Sequence, residues 1–174
     1  LEEISQKSLR QIEDTLLETV RGQDEVVVRR SALESLGFSS RQEVDDLIRT
    51  AYASQDKHWK ASALFAMGRS ANSEWEPQVM EMLESSLPLL RSEAARAAGE
   101  LELREAAPLL IEMLDDPDEN TRLASIWSLS QVGGQGVMEI LQRLYDKAET
   151  EEELELLESA IENLTFNEGV QLMP

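Results

Sequence analysis

The side chains best placed to do chemistry in this chain are carboxylates held in register. Counted from Gly37, Gly68, Gly99 and Ser130, which recur every 31 residues, acids stand six, nine, thirteen or sixteen places further on: Glu43 and Asp46; Glu74, Glu81 and Glu84; Glu105, Glu112 and Asp115; Glu139 and Asp146. At 100° per residue these offsets trace one helical face, about 140° from the apolar stripe of the same segment. Carboxylates of one sign repeated over successive frames suit either a binding face for a basic protein segment or a solvated face that keeps the chain soluble.

A second column is basic. Arg29, Lys60, Arg91 and Arg122 lie eight places before the reference, inside the apolar stripe of the preceding segment, so each head group needs an acceptor. Four residues earlier stand Glu25, Asp56, Leu87 and Asp118, which offer a carboxylate in three of four cases. The expectation is a structural ladder of ion pairs, with Arg91, opposite Leu87, finding a different acceptor. A third column, three before the reference, reads Glu34, Phe65, Arg96 and Trp127 and lies opposite the core stripe. It predicts an outer contact surface of Phe65, Arg96 and Trp127 in which Arg96 stacks between aromatic rings and Trp59 extends the patch.

Catalytic chemistry finds little footing. His58 is the only histidine and falls in a link, where a solvated or capping role is expected. The stretch DDPDEN at Asp115 to Asn120 lacks the glycine and closing glutamate of a calcium loop, and neither a Gly-rich phosphate loop nor a Gly-x-Ser-x-Gly elbow is present. No catalytic residue, metal ligand set or cofactor is expected.

The elements that must carry these columns follow from apolar spacing. Before each reference position, Ala32, Leu33 and Leu36 are followed at the same interval by Ala63, Leu64 and Met67, by Ala94, Ala95 and Ala98, and by Ser125, Ile126 and Leu129. These lie in one stripe of a first helix, helix A, and the reference glycine can take the left-handed conformation that ends it. After the reference, Val44, Ile48 and Ala51 set the pattern for a second helix, helix B, continued by Trp75, Val79 and Met82, by Ala106, Leu110 and Met113, and by Val137, Leu141 and Leu144. Pro77 and Pro108 fall near the start of helix B, where a missing amide costs little, whereas Pro88 and Pro117 are expected in the links. The expected organisation is one repeat domain over 1–174: an N-terminal helix or partial repeat at 1–22, repeats at 24–54, 55–85, 86–116 and 117–148, a capping helix at 149–166 and an aperiodic tail at 167–174. The start at Leu1, without Met and directly in a helical pattern, is what a segment of a longer protein would show.

Composition narrows the class further. Apolar residues make up 41% of the 174, enough for a real core, and the formal net charge is −19. Such a field repels phosphate backbones and anionic lipid, so nucleic acid and membranes are not expected partners and a basic protein surface is. With no cysteine, disulfides, thiolate zinc sites and a Cys nucleophile are excluded. No apolar run approaches the roughly 18–20 residues of a membrane span, and a cytoplasmic location is expected.

Helix pairs on a 31-residue period, an Asp shortly before an Arg in DENTR, an Ala-rich first helix and an LLxxL-like second helix recur in the chain, most clearly in EAAPLLIEMLDDPDENTRLASIWSL. From about Asp24 to Phe166 this pattern resembles HEAT repeats of the short, phycobilisome-lyase-like kind; a tetratricopeptide array has a 34-residue period and a different signature. The resemblance implies an all-α fold, a right-handed α-solenoid of stacked antiparallel helix pairs, with second helices lining the concave side and an Asp and Arg ladder along the stack. It turns the acidic column into a negative trough and implies a non-enzymatic protein-binding scaffold, the alternative being a bilin lyase-like enzyme or subunit that holds a small ligand in the concavity. HEAT-like deoxyhypusine hydroxylases bind iron through His-Glu pairs, and no HE dipeptide is present here. HEAT-like DNA glycosylases need a cationic groove, the opposite of this charge.

Overall fold

Helix follows helix through the whole computed structural model, which describes residues 2–148 and 150–171, with side chains over 6–148 and 150–167. Among the described residues there are ten α-helices and no strand: α1 (Glu2–Arg21), α2 (Val26–Ser35), α3 (Gln42–Tyr52), α4 (Lys57–Arg69), α5 (Glu76–Leu83), α6 (Pro88–Glu100), α7 (Ala107–Glu112), α8 (Glu119–Val132), α9 (Val137–Tyr145) and α10 (Glu151–Gln171). The first helices of the four frames are α2, α4, α6 and α8, and the second helices are α3, α5, α7 and α9. Short 3-10 turns lead into α5 and α7 and follow α7. This is the all-α helical-repeat class of an α-solenoid.

Contacts gather the chain into two compact units, Leu1–Asn72 and Ser73–Pro174. In the first, α1 packs on α2, α2 on α4 and α3 on α4. Its core is the predicted stripe: Leu33, Leu36, Val44, Leu64 and Met67 are fully buried. In the second, α5 packs on α6, α8 on α6 and α7, and α10 on α8 and α9. Trp75, Val79, Leu110, Leu129, Leu141 and Leu157 form its centre. Each helix pair is too small to bury its apolar face alone, and stacking supplies the missing partner.

Helix starts follow local chemistry. The Asp56 carboxylate accepts the His58 amide at 2.8 Å to cap α4, and Asp118 accepts the Thr121 amide at 2.9 Å to cap α8. Pro77, Pro88 and Pro108 all sit in the first turn of a helix. Pro88 therefore opens α6 instead of lying in a link, because its fixed φ suits a helical first residue. The C-terminal helix runs to Gln171, past the expected boundary at 166, so most of the expected tail is helical; its last three residues lie outside the described ones.

The glycine column has a different job from the one expected. Gly68 and Gly99 lie inside α4 and α6, and neither they nor Gly37 take a positive φ. The left-handed position falls three residues later, at Ala71 (φ 50°), Glu102 (φ 52°) and Gly133 (φ 66°). At the end of α6 the Leu103 amide donates to the Ala98 carbonyl at 2.9 Å and the Glu102 amide to the Gly99 carbonyl at 3.0 Å, the two bonds of a Schellman turn. A side chain at a left-handed position costs about 1–2 kcal/mol, part of which Gly returns through the entropy of the unfolded chain. Glu102→Gly is expected to raise stability by about 0.5 kcal/mol net, read as a higher urea midpoint at unchanged slope. A lower midpoint would contradict the strain argument.

What the glycines provide is close approach. A Cβ built on Gly37 would lie 2.9 Å from the Ala66 carbonyl oxygen, and one on Gly99 would lie 2.6 Å from Cζ3 of Trp127 and 3.0 Å from the Ser128 α-carbon. The missing side chains let α2 meet α4, and α6 meet α8, backbone to backbone.

Candidate functional site

The basic column ties each first helix to the end of the second helix before it. The Arg29 Nε donates to the Val20 carbonyl, in the last turn of α1, at 2.9 Å, and its guanidinium lies 5.5 Å from the Trp59 ring centroid. Lys60 sits 5.2 Å over the ring of Tyr52, the last residue of α3. Arg91 Nη1 donates to the Ser85 carbonyl just past α5 at 2.9 Å, and Arg122 Nη1 to the Asp116 carbonyl at 2.8 Å. Cations thus meet carbonyl-rich helix ends, where the backbone dipoles favour positive charge.

The ladder of Arg29, Lys60 and Arg122 with Glu25, Asp56 and Asp118 does not form. Asp56 and Asp118 are N-caps whose oxygens turn inward to free amides, and Glu25 occupies the same cap position without a capping bond. An N-cap carboxylate satisfies its own helix before it can reach a side chain one turn on. Arg91, which has no acid at that position, makes two parallel 2.8 Å hydrogen bonds to the Asp116 carboxylate, the two side chains being only 15% and 9% exposed. That hydrogen-bonded pair raises the Arg91 pKa and pulls the Asp116 carboxyl below its ordinary value. Asp116 also accepts the Asp118 amide at 2.8 Å, so one residue joins α6, the link and α8.

Asp116 was not among the residues singled out from the sequence, yet a signal existed. Ser54, Ser85 and Asp116 recur at the 31-residue interval, and each accepts the backbone amide two residues on. Short polar side chains in a link turn back on the backbone in this way. Glu13 was also missed: it is buried in the column of Val44, Trp75, Ala106 and Val137, 3.7 Å from Arg41.

Of the ten acids, Asp46, Glu74, Glu81, Glu84, Glu105, Glu112, Asp115, Glu139 and Asp146 are exposed. Glu43 is half-buried and pairs with both Arg41 and Arg21. The Arg41 hydrogen bond, followed by the Arg21 one, holds its carboxyl below the usual range, and the two cations offset its charge. In the second unit the situation is different. The carboxylates of Glu84, Glu105, Glu112, Asp115, Glu139 and Asp146 form no ion pair or side-chain hydrogen bond among the described residues. Two of them, Glu84 and Asp146, are the C-caps of α5 and α9, the end where a negative charge is disfavoured.

The outer column divides. Phe65 is 40% exposed and Arg96 is exposed, but Trp127 is half-buried across Gly99, and Arg96 makes no ring contact. The expected stack of Arg96 between rings is absent because the glycine draws the indole into the α6–α8 contact. Trp59 is likewise half-buried beneath Arg29. His58 is exposed in the first turn of α4. Among the described residues, no group of three or more His, Asp or Glu is gathered closely enough to hold a metal, and no helix is long and apolar enough to cross a membrane.

Residues 44–115 and 76–162 each match the profile of HEAT repeats, together more than half of the chain, and the chain belongs to that family. HEAT repeats generally mediate protein–protein interaction and generally carry no enzymatic activity. Comparison with curated proteins finds no match.

Proposed function

We propose that this chain is a non-enzymatic binding scaffold whose acidic second-helix face takes a basic segment of a partner protein. The observation behind this reading is the set of six exposed carboxylates in the second unit that have no partner of their own. Their arrangement costs stability. Glu81 with Glu84, and Glu112 with Asp115, place like charges three residues apart, and Glu84 and Asp146 oppose the helix dipole; each such term costs a few tenths of a kcal/mol. Among the described residues no ion pair offsets that cost at Glu84, Glu112, Asp115 or Asp146, whereas a cationic partner would. The resemblance to HEAT repeats implies second helices on a concave side, and the face would then suit an extended or disordered lysine- and arginine-rich segment. Charge attraction would steer the encounter, and side-chain contacts would set the register.

The short phycobilisome-lyase-like subtype and a bilin-handling activity rest on the sequence resemblance alone. The protein-binding reading has the carboxylates in addition.

With a captured basic partner, Glu81→Lys together with Glu112→Lys is expected to slow association about tenfold at low salt and leave the unfolding midpoint nearly unchanged. Binding to the unaltered chain is expected to weaken steeply as salt rises. An association rate that ignores both changes would remove this face as the binding site.

A further inference from the structure

The contact of α10 on α8 is built differently from the two first-helix contacts that close on a glycine. There Gly37 faces Ala66 and Gly99 faces Ser128, and small residues on both sides let backbones meet. In the α8–α10 seam the corresponding pair is Ser130 and Asn163, joined through their side chains. A cavity of about 460 Å³ lies along this seam, and its polar wall is Ser130, Gln131, Ser159, Glu162 and Asn163, with Trp127 beside them.

Hydrogen bonds in the seam leave the wall rich in acceptors. The Ser130 hydroxyl donates to the Trp127 carbonyl at 2.6 Å. Its oxygen in turn accepts the Gln131 side-chain amide at 3.0 Å and the Asn163 amide at 3.3 Å, and Asn163 also reaches the Ser130 carbonyl at 3.4 Å. Both amide nitrogens are thus turned to Ser130. Oε1 of Gln131 and Oδ1 of Asn163 accept no hydrogen bond among the described residues. The Glu162 carboxylate is exposed and has neither an ion pair nor a hydrogen bond among the described residues. The Trp127 ring sets its Cζ3 edge against Gly99 and also borders the cavity. A carboxylate, two amide oxygens and an aromatic face all attract positive charge, and among the described residues no Lys, Arg or His lines the cavity.

We propose that this cavity binds the ammonium or guanidinium head of an alkyl chain. Such a head group carries donors and no acceptor, so it complements Glu162 and the two amide oxygens, and the Trp127 ring adds a cation–π contact. Leu156 and Ala160, which also line the cavity, give apolar surface to the alkyl stem. The volume is that of a small-ligand site, and the chain's charge of −19 draws cations toward it. None of the second-helix acids takes part, so failure of this site and failure of the acidic face as a site are separate results.

The test is an NMR titration of the isotope-labelled whole chain with butylammonium, butylguanidinium, N-acetyl-lysine amide and, as a neutral counterpart, pentanol. Both small cations are expected to shift the Trp127 indole signal and the Gln131 and Asn163 side-chain amide signals to saturation. The Trp59 and Trp75 indoles and the pentanol titration should show no such change. A matching response to N-acetyl-lysine amide would assign the bound head group to a protein side chain; its silence beside responsive small cations would assign it to a free amine. Glu162→Gln is expected to weaken binding about tenfold. Glu158→Gln, an exposed acid of the same helix outside the cavity, removes the same charge and is expected to leave binding within about twofold. Signals unmoved by either small cation, an equal response to pentanol, or equal weakening by the two substitutions would each overturn the inference.

Discussion

Arg91→Met is expected to lower the unfolding free energy by about 3–5 kcal/mol, the range for removing one partner of a buried ion pair. The variant strands the Asp116 carboxylate, whose side chain is 9% exposed, and frees the Ser85 carbonyl at the end of α5. Adding Asp116→Asn should restore much of the loss: the amide oxygen can still accept the Asp118 amide, and no uncompensated charge remains. Acid sensitivity should change in a fixed direction. The Arg91 hydrogen bonds hold the folded Asp116 pKa below its ordinary 3.8, so this carboxylate stabilises the fold above that value and the contribution is lost as pH falls through it. In Arg91→Met the fall in stability below about pH 4 should be shallower than in the unaltered chain. Urea unfolding at several pH values reads both effects; a loss under 1 kcal/mol would show the pair to be ornamental.

Gly99→Ala is expected to destabilise the chain by about 1–3 kcal/mol, although the same change at a free helical site stabilises by about 1 kcal/mol. The sign reverses because the new methyl would sit 2.6 Å from Trp127 Cζ3 and 3.0 Å from the Ser128 α-carbon. The indole can rotate; the α8 backbone cannot move without opening the α6–α8 contact. Gly37→Ala should share the sign, since its methyl would meet the Ala66 carbonyl oxygen at 2.9 Å. A higher melting temperature in either variant would contradict the close-approach account.

The helices and their buried faces were legible because burial and period are the same information on a helix: Leu33, Leu64, Ala95 and Ile126 share a column and are all buried. Three features were not. The basic column was read against carboxylates one turn upstream, but Asp56 and Asp118 spend their oxygens on amides at the cap, and helix period does not encode that competition. The period of the glycine column suggests a left-handed helix end, whereas Ala71 and Glu102 take the left-handed turns and Gly99 is set by the girth of a neighbouring helix. Trp127 was read as outward from its angle alone, and that same glycine draws it in. The acid column is legible as exposed charge; Glu43 departs from it because Arg21 and Arg41 come from outside its own helix face.

The binding claim is tested most directly by charge placement at constant charge. Two doubly reversed chains, Glu81→Lys with Glu112→Lys and Glu100→Lys with Glu155→Lys, carry the same net charge, but only the first alters the acidic second-helix face. Each is titrated with the basic partner at low salt beside the unaltered chain. The account predicts that the first pair loses most of the affinity and the second stays close to the unaltered chain. Equal losses in both would mean that the partner responds to net charge alone, and the acidic face would not be a site.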